Sequence, residues 1–196
     1  MKKEKKALIL NILIIIFEII GLVYTVYQSH SLMIEYYTID SNIITLISSL
    51  LFVIFYKKKK GFVKDIRFLA TILLTVTFLV VVFILCPMQN FNYKLLMFTD
   101  PYYIFHTLCP ILTVVSYIFF EEGSNKKIIG LAFTIIYAIV LITLNILDII
   151  SGPYPFLKVK EQSIPMTIMW GGLILLGSYL VGQILYQLNK IKGAKN

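Results

Sequence analysis

Six apolar stretches, each about 20 residues long and separated by shorter polar segments, make up most of the chain. Stretches of this length are what a helix needs to cross the hydrocarbon of a bilayer. They are continuous rather than alternating, which excludes transmembrane strands, and in lipid a helix satisfies its own backbone. We therefore predict an all-α fold, an integral membrane bundle of six transmembrane helices in a single domain over residues 1–196. The predicted spans are Ala7–Gln28, Tyr37–Tyr56, Ile66–Cys86, Pro101–Phe120, Lys127–Ile150 and Pro165–Leu188.

Composition supports this fold, and the distribution of charge predicts its orientation. The chain is 59% hydrophobic with a mean hydropathy of +0.86, more apolar surface than a soluble domain of this length could bury. Of its 18 lysine and arginine residues, all but Lys94, Lys158 and Lys160 fall on one side of the predicted bundle. Because cytoplasmic loops carry an excess of basic residues, we expect both termini in the cytoplasm (N-in/C-in). Topology thus accounts for the net charge of +8 without nucleic-acid binding. The Lys- and Ile-rich composition favours a multi-pass protein of a bacterial cell membrane.

Polar residues inside three of the predicted spans recur at helical spacing. Such stripes face the interior of a bundle rather than lipid, where they bond helices together or line a site. The stripes are Thr38, Ser41, Asn42, Thr45, Ser48 and Ser49 on the second span, His106, Cys109, Pro110, Thr113 and either Ser116 or Tyr117 on the fourth, and Thr134, Tyr137, Asn145 and Asp148 on the fifth.

Several residues of these spans are predicted to lie at the same depth in the bilayer. Each helical residue advances about 1.5 Å and successive spans alternate in direction, so one layer near the extracytoplasmic face is predicted. Within it His106 is the most informative residue, because lipid offers an imidazole no hydrogen-bond partner and intramembrane ionisable groups are functional-site candidates. The layer contains Thr38, Asp40, Asn42, His106, Asn145 and Asp148.

A hydroxyl and an imidazole at one depth suggest nucleophilic catalysis. His106 is a candidate base for the weakly nucleophilic hydroxyl of Thr38. Asp148 or Asp40 would then hold the imidazole tautomer, and Asn42 or Asn145 would donate to an oxyanion. The plainer alternatives are a structural histidine, a helix-capping role for Asp148 and a macrodipole charge at Asp40. No cofactor is implied, and two histidines without a carboxylate or cysteine cluster predict no metal site.

The segment between the fifth and sixth spans, Ser151 to Ile164, carries Pro153 and Pro155, which prevent a regular helix. Tyr154 and Phe156 make it apolar enough to fold back over the mouth of the bundle. We expect it to act as a lid with Tyr154 contacting substrate, or to be a plain turn in the headgroup region.

Glu18 lies near the middle of the first span, away from the outer layer. A carboxyl at that depth serves either a structural role or a proton path. It also favours an alternative function, a small-molecule or lipid carrier in which the polar stripes line a permeation path.

Three short stretches resemble one known family. They are Tyr36-Tyr37-Thr38-Ile39-Asp40, then His106-Thr107 followed by Pro110 and Glu121, and Gly152-Pro153-Tyr154-Pro155-Phe156-Leu157. Together with the topology they are similar to the androgen-induced and ADTRP-type multipass proteins and their smaller bacterial six-pass relatives.

The resemblance implies an activity and a catalytic pair. Family members are threonine hydrolases of lipid esters, notably fatty acid esters of hydroxy fatty acids. Their threonine and histidine fall here on Thr38 and His106, with a membrane lipid or fatty acid ester as the partner. The run TIDSN departs from the family's more apolar continuation, which leaves Ser41 and Thr45 as alternative nucleophiles. Oligomeric state stays open.

Overall fold

The computed structural model of the protein describes residues 3–58 and 60–194, and the side chains up to residue 192. This part of the chain is helical without strands, and six of its helices are long and apolar enough to cross a membrane. The predicted all-α class and six spans are therefore confirmed, and the chain is a multipass membrane protein. Among the counted basic residues, Lys2, Lys59 and Lys195 lie outside the described residues. The helices are α1 Lys3–Ser29, α2 Tyr37–Ile54, α3 Gly61–Met88, the short α4 Tyr93–Phe98, α5 Tyr103–Phe120, α6 Ile129–Ile146 and α7 Ile164–Ala194.

The spans begin and end within six residues of their predicted positions, the largest difference being the end of α7 at Ala194 instead of Leu188. The end of α6 is the informative difference. This helix was predicted to reach Ile150 but ends at Ile146. Asp148 adopts a left-handed φ of 59°, and the Ile149 amide donates back to the Leu144 carbonyl over 3.0 Å. A left-handed residue just past a helix is a common C-terminal stop, and aspartate tolerates that conformation. Asp148 therefore lies beyond the helix and not on its polar stripe.

Helix α2 packs against α1 and α3, α5 also packs against α1 and α3, and α6 and α7 pack together against α3. Gly21 allows α1 to approach α5, because a Cβ at this position would lie 2.5 Å from the Phe105 ring. The predicted polar stripes face inward. Ser41, Asn42, Thr45, Ser48, Ser49, Thr113 and Ser116 have no exposed surface. Helical periodicity alone thus identified the interior faces of α2 and α5.

Two of the spans contain π-helical segments, Val81–Leu85 in α3 and Tyr103–Leu108 in α5. Each is followed by a proline, Pro87 or Pro110. A proline lacks an amide N–H and crowds the carbonyl four residues earlier, which disturbs the regular helical ladder. That carbonyl belongs to His106 in α5, so the proline explains why the helix is widened at this histidine.

We name the ends of the bundle after the orientation predicted from charge. The outer end carries the segment 147–163, and the inner end carries the segment between α2 and α3. The orientation itself, and the single-domain assignment, stay predictions.

Candidate functional site

The start of α2 and the π-helical segment of α5 bring Thr38 and His106 together at the outer end. Thr38 Oγ1 lies 3.5 Å from His106 Nε2, at the upper limit of a hydrogen bond. His106 is 5% exposed, whereas Thr38 is half-buried. The Tyr102 ring stacks on the imidazole at 5.4 Å with an interplanar angle of 16° and limits its rotation. The hydroxyl and the imidazole therefore face each other in a largely buried site.

The tautomer of His106 follows from its second hydrogen bond. Nδ1 lies 2.6 Å from the backbone carbonyl oxygen of Leu96. A carbonyl oxygen can only accept, so Nδ1 carries the proton and donates it. In the neutral ring this leaves the lone pair of Nε2 directed at the Thr38 hydroxyl. A general base acting on Thr38 requires this tautomer.

The carbonyl that orients His106 comes from the end of α4. The last carbonyls of a helix have no partner within the helix and need one from elsewhere. In α4 the Leu96 carbonyl accepts from His106, and the Met97 carbonyl accepts from Thr107 Oγ1 over 2.8 Å. The hydrogen bonds of the adjacent His106 and Thr107 side chains thus hold α5 against α4. The His106 bond to the Leu96 carbonyl also fixes the plane of the imidazole.

Tyr154 reaches Thr38 from the segment that joins α6 to α7. Its hydroxyl lies 3.3 Å from Thr38 Oγ1 and accepts from the Thr38 amide N–H, also over 3.3 Å. Burial raises the pKa of the Tyr154 phenol to about 12, so it is a neutral O–H donor. The ring stacks on Phe156 at 5.1 Å. A glycine is required at Gly152, where a Cβ would lie 2.3 Å from a backbone oxygen of the same segment.

Two cavities meet at Thr38 and Tyr154. The outer one, about 340 Å³, contains His106, Tyr102 and the prolines of the 147–163 segment. The second one, about 60 Å³, is a narrow apolar slot between α2, α3, α6 and α7. The slot is lined mainly by Val76, Val80, Ile142, Gly171, Ile174 and Leu175. The Thr38 hydroxyl therefore lies between an outer cavity that contains several polar side chains and an apolar slot.

The two predicted orienting carboxylates lie elsewhere, and this expectation is corrected. Asp148 has an exposed side chain and pairs with Lys160, because the left-handed turn after α6 points it away from the bundle. Asp40 lines a separate surface cavity with Glu35 and Tyr137, which lies on a different side of α2 from His106. The Leu96 carbonyl holds the position that the sequence assigned to a carboxylate.

The two side-chain amides predicted to donate to an oxyanion donate to backbone carbonyls instead. Asn42 Nδ2 donates to the Thr38 carbonyl over 2.6 Å. Asn145 donates to the Ile150 carbonyl and accepts from the Val159 amide, so it shapes the 147–163 segment. Neither side-chain amide has the position that an oxyanion donor needs, since each faces its own helix end or loop.

The alternative nucleophiles Ser41 and Thr45 are fully buried. Ser41 Oγ donates to the Thr38 carbonyl and Thr45 Oγ1 donates to the Ser41 carbonyl. Thr38 is the hydroxyl of this stripe that lies beside the His106 ring.

Sequence reasoning missed two features of the interior. The backbone acceptor at Leu96 has no signature in side-chain identity. Arg67 was counted among the cytoplasmic loop charges, but it is 1% exposed and pairs with Glu121 inside the bundle. The serines at the inner end of the α2 stripe, which face it, were the available clue.

Comparisons with known proteins add no assignment: no protein family, curated protein or solved structure matches the chain. The resemblance to the androgen-induced and ADTRP-type family is neither supported nor contradicted by them and stays a prediction.

Proposed function

We propose that the protein is a membrane-embedded hydrolase of lipid esters that uses Thr38 as nucleophile and His106 as base. The observation that carries the proposal is the pairing of the Thr38 hydroxyl with an imidazole nitrogen whose tautomer is fixed by the Leu96 carbonyl. In the proposed orientation the site lies near the outer leaflet of the cell membrane, with both termini in the cytoplasm.

The chemistry proceeds in two balanced steps. His106 Nε2 takes the proton of Thr38 Oγ1 as that oxygen attacks the ester carbonyl carbon. The imidazolium then returns this proton to the leaving alcohol, and an acyl-threonine remains. In the second step His106 Nε2 takes a proton from a water molecule as the water oxygen attacks the carbonyl carbon of the acyl-threonine. The proton then returns to Thr38 Oγ1, and the carboxylic acid is released. The partial negative charge of the Leu96 carbonyl stabilises the imidazolium, as a carboxylate does in the familiar triad.

Two donors are available for the oxyanion. The Thr38 amide lies in the first turn of α2, where N–H groups have no intrahelical partner and the helix dipole favours negative charge. At rest this N–H donates to the Tyr154 hydroxyl over 3.3 Å. A substrate oxygen that displaces this contact would accept from both the amide and the phenol, which is the arrangement of an oxyanion hole.

The two cavities favour an ester with one apolar arm. The slot lined by Val80, Ile142 and Ile174 offers the reacting carbonyl an acyl-binding side without charge. The outer cavity, lined by Gln28, Ser29 and Gln89 among others, suits a more polar alcohol part. Lipid esters of the outer leaflet combine these properties.

The test is covalent labelling together with hydrolysis by the purified protein. A fluorophosphonate probe should phosphonylate Thr38, since the activated oxygen displaces fluoride, and mass spectrometry should locate the adduct on the peptide that contains residue 38. Fatty acyl esters should be cleaved under the same conditions. A carrier without covalent chemistry gives neither result, so an unlabelled and inactive protein would support the carrier instead.

Gly171→Leu is expected to shorten the acyl chain that the enzyme accepts. Gly171 lines the slot, and a Cβ added there meets no atom within 4 Å, so a leucine has room at this position and we expect its side chain to take up part of the slot. Each methylene kept out of the slot forfeits about 0.8 kcal/mol, or about fourfold in kcat/KM. The measurement is kcat/KM for a series of acyl esters of increasing chain length.

Gly172→Leu is the matched control. Its added Cβ also meets no atom within 4 Å, but Gly172 does not line the slot, so the chain-length profile should stay that of the wild type. Equal loss of long-chain activity in both variants would show that the slot does not hold the acyl chain.

A further inference from the structure

Buried oxygen atoms without a hydrogen-bond partner lie between α1, α2 and α5. Among the described residues they include side-chain oxygens of Asn11, Glu18, Asn42 and Thr113. These four side chains have no exposed surface. Buried polar groups in folded proteins are nearly always paired, and internal water commonly bridges those that protein atoms do not reach.

These groups lie along the bundle between two cavities at its opposite ends. At the outer end is the cavity that contains His106, and at the inner end is a smaller cavity lined by Arg67 and Glu121. Asn11 Nδ2 donates to Glu121 Oε1 over 3.0 Å. Along α1, Glu18 lies seven residues from Asn11, or about 10 Å. Asn11 and Glu18 thus lie on α1 between Ala7, which lines the inner-end cavity, and Thr25, which lines the outer one.

Glu18 is the titratable group at the centre of this row. Neither of its carboxyl oxygens meets the distance and angle of a hydrogen bond among the described residues, and the neighbouring side chain able to donate to it is the weakly donating Cys109 thiol. The facing titratable or charged groups are the Cys109 thiol of α5, which lies close to the carboxyl, and at longer range Arg67 of α3. The buried polar side chains of α2 include Asn42 and Thr45, which do not titrate. Carboxyls in such positions are the usual relays of proton paths in membrane proteins.

We propose that the row of polar groups between α1, α2 and α5 takes up water and conducts protons, with Glu18 as the relay carboxyl. The path runs from the His106 cavity past Asn42 and Thr113 to Glu121. This is an activity separate from ester hydrolysis, because it involves neither the Thr38 nucleophile nor an ester.

The transfer needs no other reactant. One Glu18 oxygen accepts a proton from the water on the outer side while the other releases one to the water on the inner side. Only O–H bonds form and break, and the charge moved across the membrane is balanced by a counter-ion. A glutamine in this position has no exchangeable acid and interrupts the relay, although its size and shape match.

The experiment uses the full chain reconstituted in lipid vesicles that contain a pH-sensitive dye. A potassium gradient with valinomycin sets the membrane potential and supplies the counter-ion. The wild type should acidify the vesicles several-fold faster than protein-free vesicles, and Glu18→Gln should reduce the rate to the protein-free level. Glu161→Gln makes the same chemical change at an exposed carboxyl that pairs with Lys158, and it should conduct like the wild type.

Conduction by Glu18→Gln equal to that of the wild type, or a wild type no faster than protein-free vesicles, overturns the proposal. Should Glu18→Gln fail to fold, infrared spectroscopy of the wild type decides instead. The carbonyl band of a protonated carboxyl should shift promptly on transfer to D2O, because water reaches Glu18. A protonated-carboxyl band that stays unshifted rejects a hydrated path.

Discussion

Thr38→Ala is expected to reduce kcat for ester hydrolysis by about 10³-fold or more, because the attacking oxygen is removed. His106→Ala is expected to cost about 10²- to 10⁴-fold, the usual range for a general base. The two residues act as one unit, with Thr38 Oγ1 3.5 Å from His106 Nε2, so the double variant should be no slower than Thr38→Ala alone. The measurement is the initial rate of release of fatty acid from a lipid ester in detergent micelles.

Thr38→Ser is the control for this result. It keeps the hydroxyl and the His106 contact and removes only a methyl group, so activity should stay within about tenfold of the wild type, the order expected when only packing at the hydroxyl changes. Substantial hydrolysis by Thr38→Ala, with folding verified by its elution from a sizing column, would refute the assignment. Losses in the double variant that multiply would instead indicate that the residues act independently.

The sequence predicts the fold well because the membrane imposes strong constraints on it. Length, continuous hydropathy and helical period located six spans, and the inward direction of Asn42, Thr45 and Thr113 followed from the stripes alone. In lipid, a polar side chain has few acceptable directions other than the bundle interior. The depth estimate likewise brought Thr38 to the level of His106.

The partners of the site could not be predicted in the same way. The depth layer contained six polar residues, and depth alone does not say which way a side chain points at a helix end. The left-handed conformation of Asp148 depends on the hydrogen bonds of the turn after α6. The partner of His106 is a backbone carbonyl, which every residue possesses. Helix ends and backbone acceptors therefore account for most of the differences between expectation and structure.

Arg67 shows that the sequence also does not reveal whether a basic side chain near a helix end lies in a loop or inside the bundle. Counting basic residues by side of the bundle treats each as a loop charge, although Arg67 is the second residue of the predicted span Ile66–Cys86. Because α3 begins earlier, at Gly61, Arg67 lies in its second turn with its side chain buried in the bundle. There the guanidinium meets a carboxylate from the end of α5. The orientation predicted from charge does not depend on this one residue.

Glu121→Gln is expected to lower stability by about 3–5 kcal/mol, the usual cost of leaving a buried charge unpaired. Arg67 donates to Glu121 through Nε and Nη2 over 3.0 and 2.8 Å, and both side chains are almost fully buried. Ser48 and Ser49 accept from Nη1, but they carry no charge to balance the guanidinium. The measurement is the midpoint of thermal unfolding in detergent, which should fall by about 10 °C for a chain of this size.

A double-mutant cycle separates the charge effect from lost packing. Arg67→Met combined with Glu121→Met removes both charges and keeps an apolar volume, so it should be more stable than either single variant. Glu122→Gln is the matched control, because Glu122 pairs with Lys64 at the exposed inner end and such pairs contribute at most about 1 kcal/mol. Single-variant losses that simply add in the double variant would mean that the buried charges do not stabilise each other. In that case the ion pair would not be what joins α3 to α5 at the inner end.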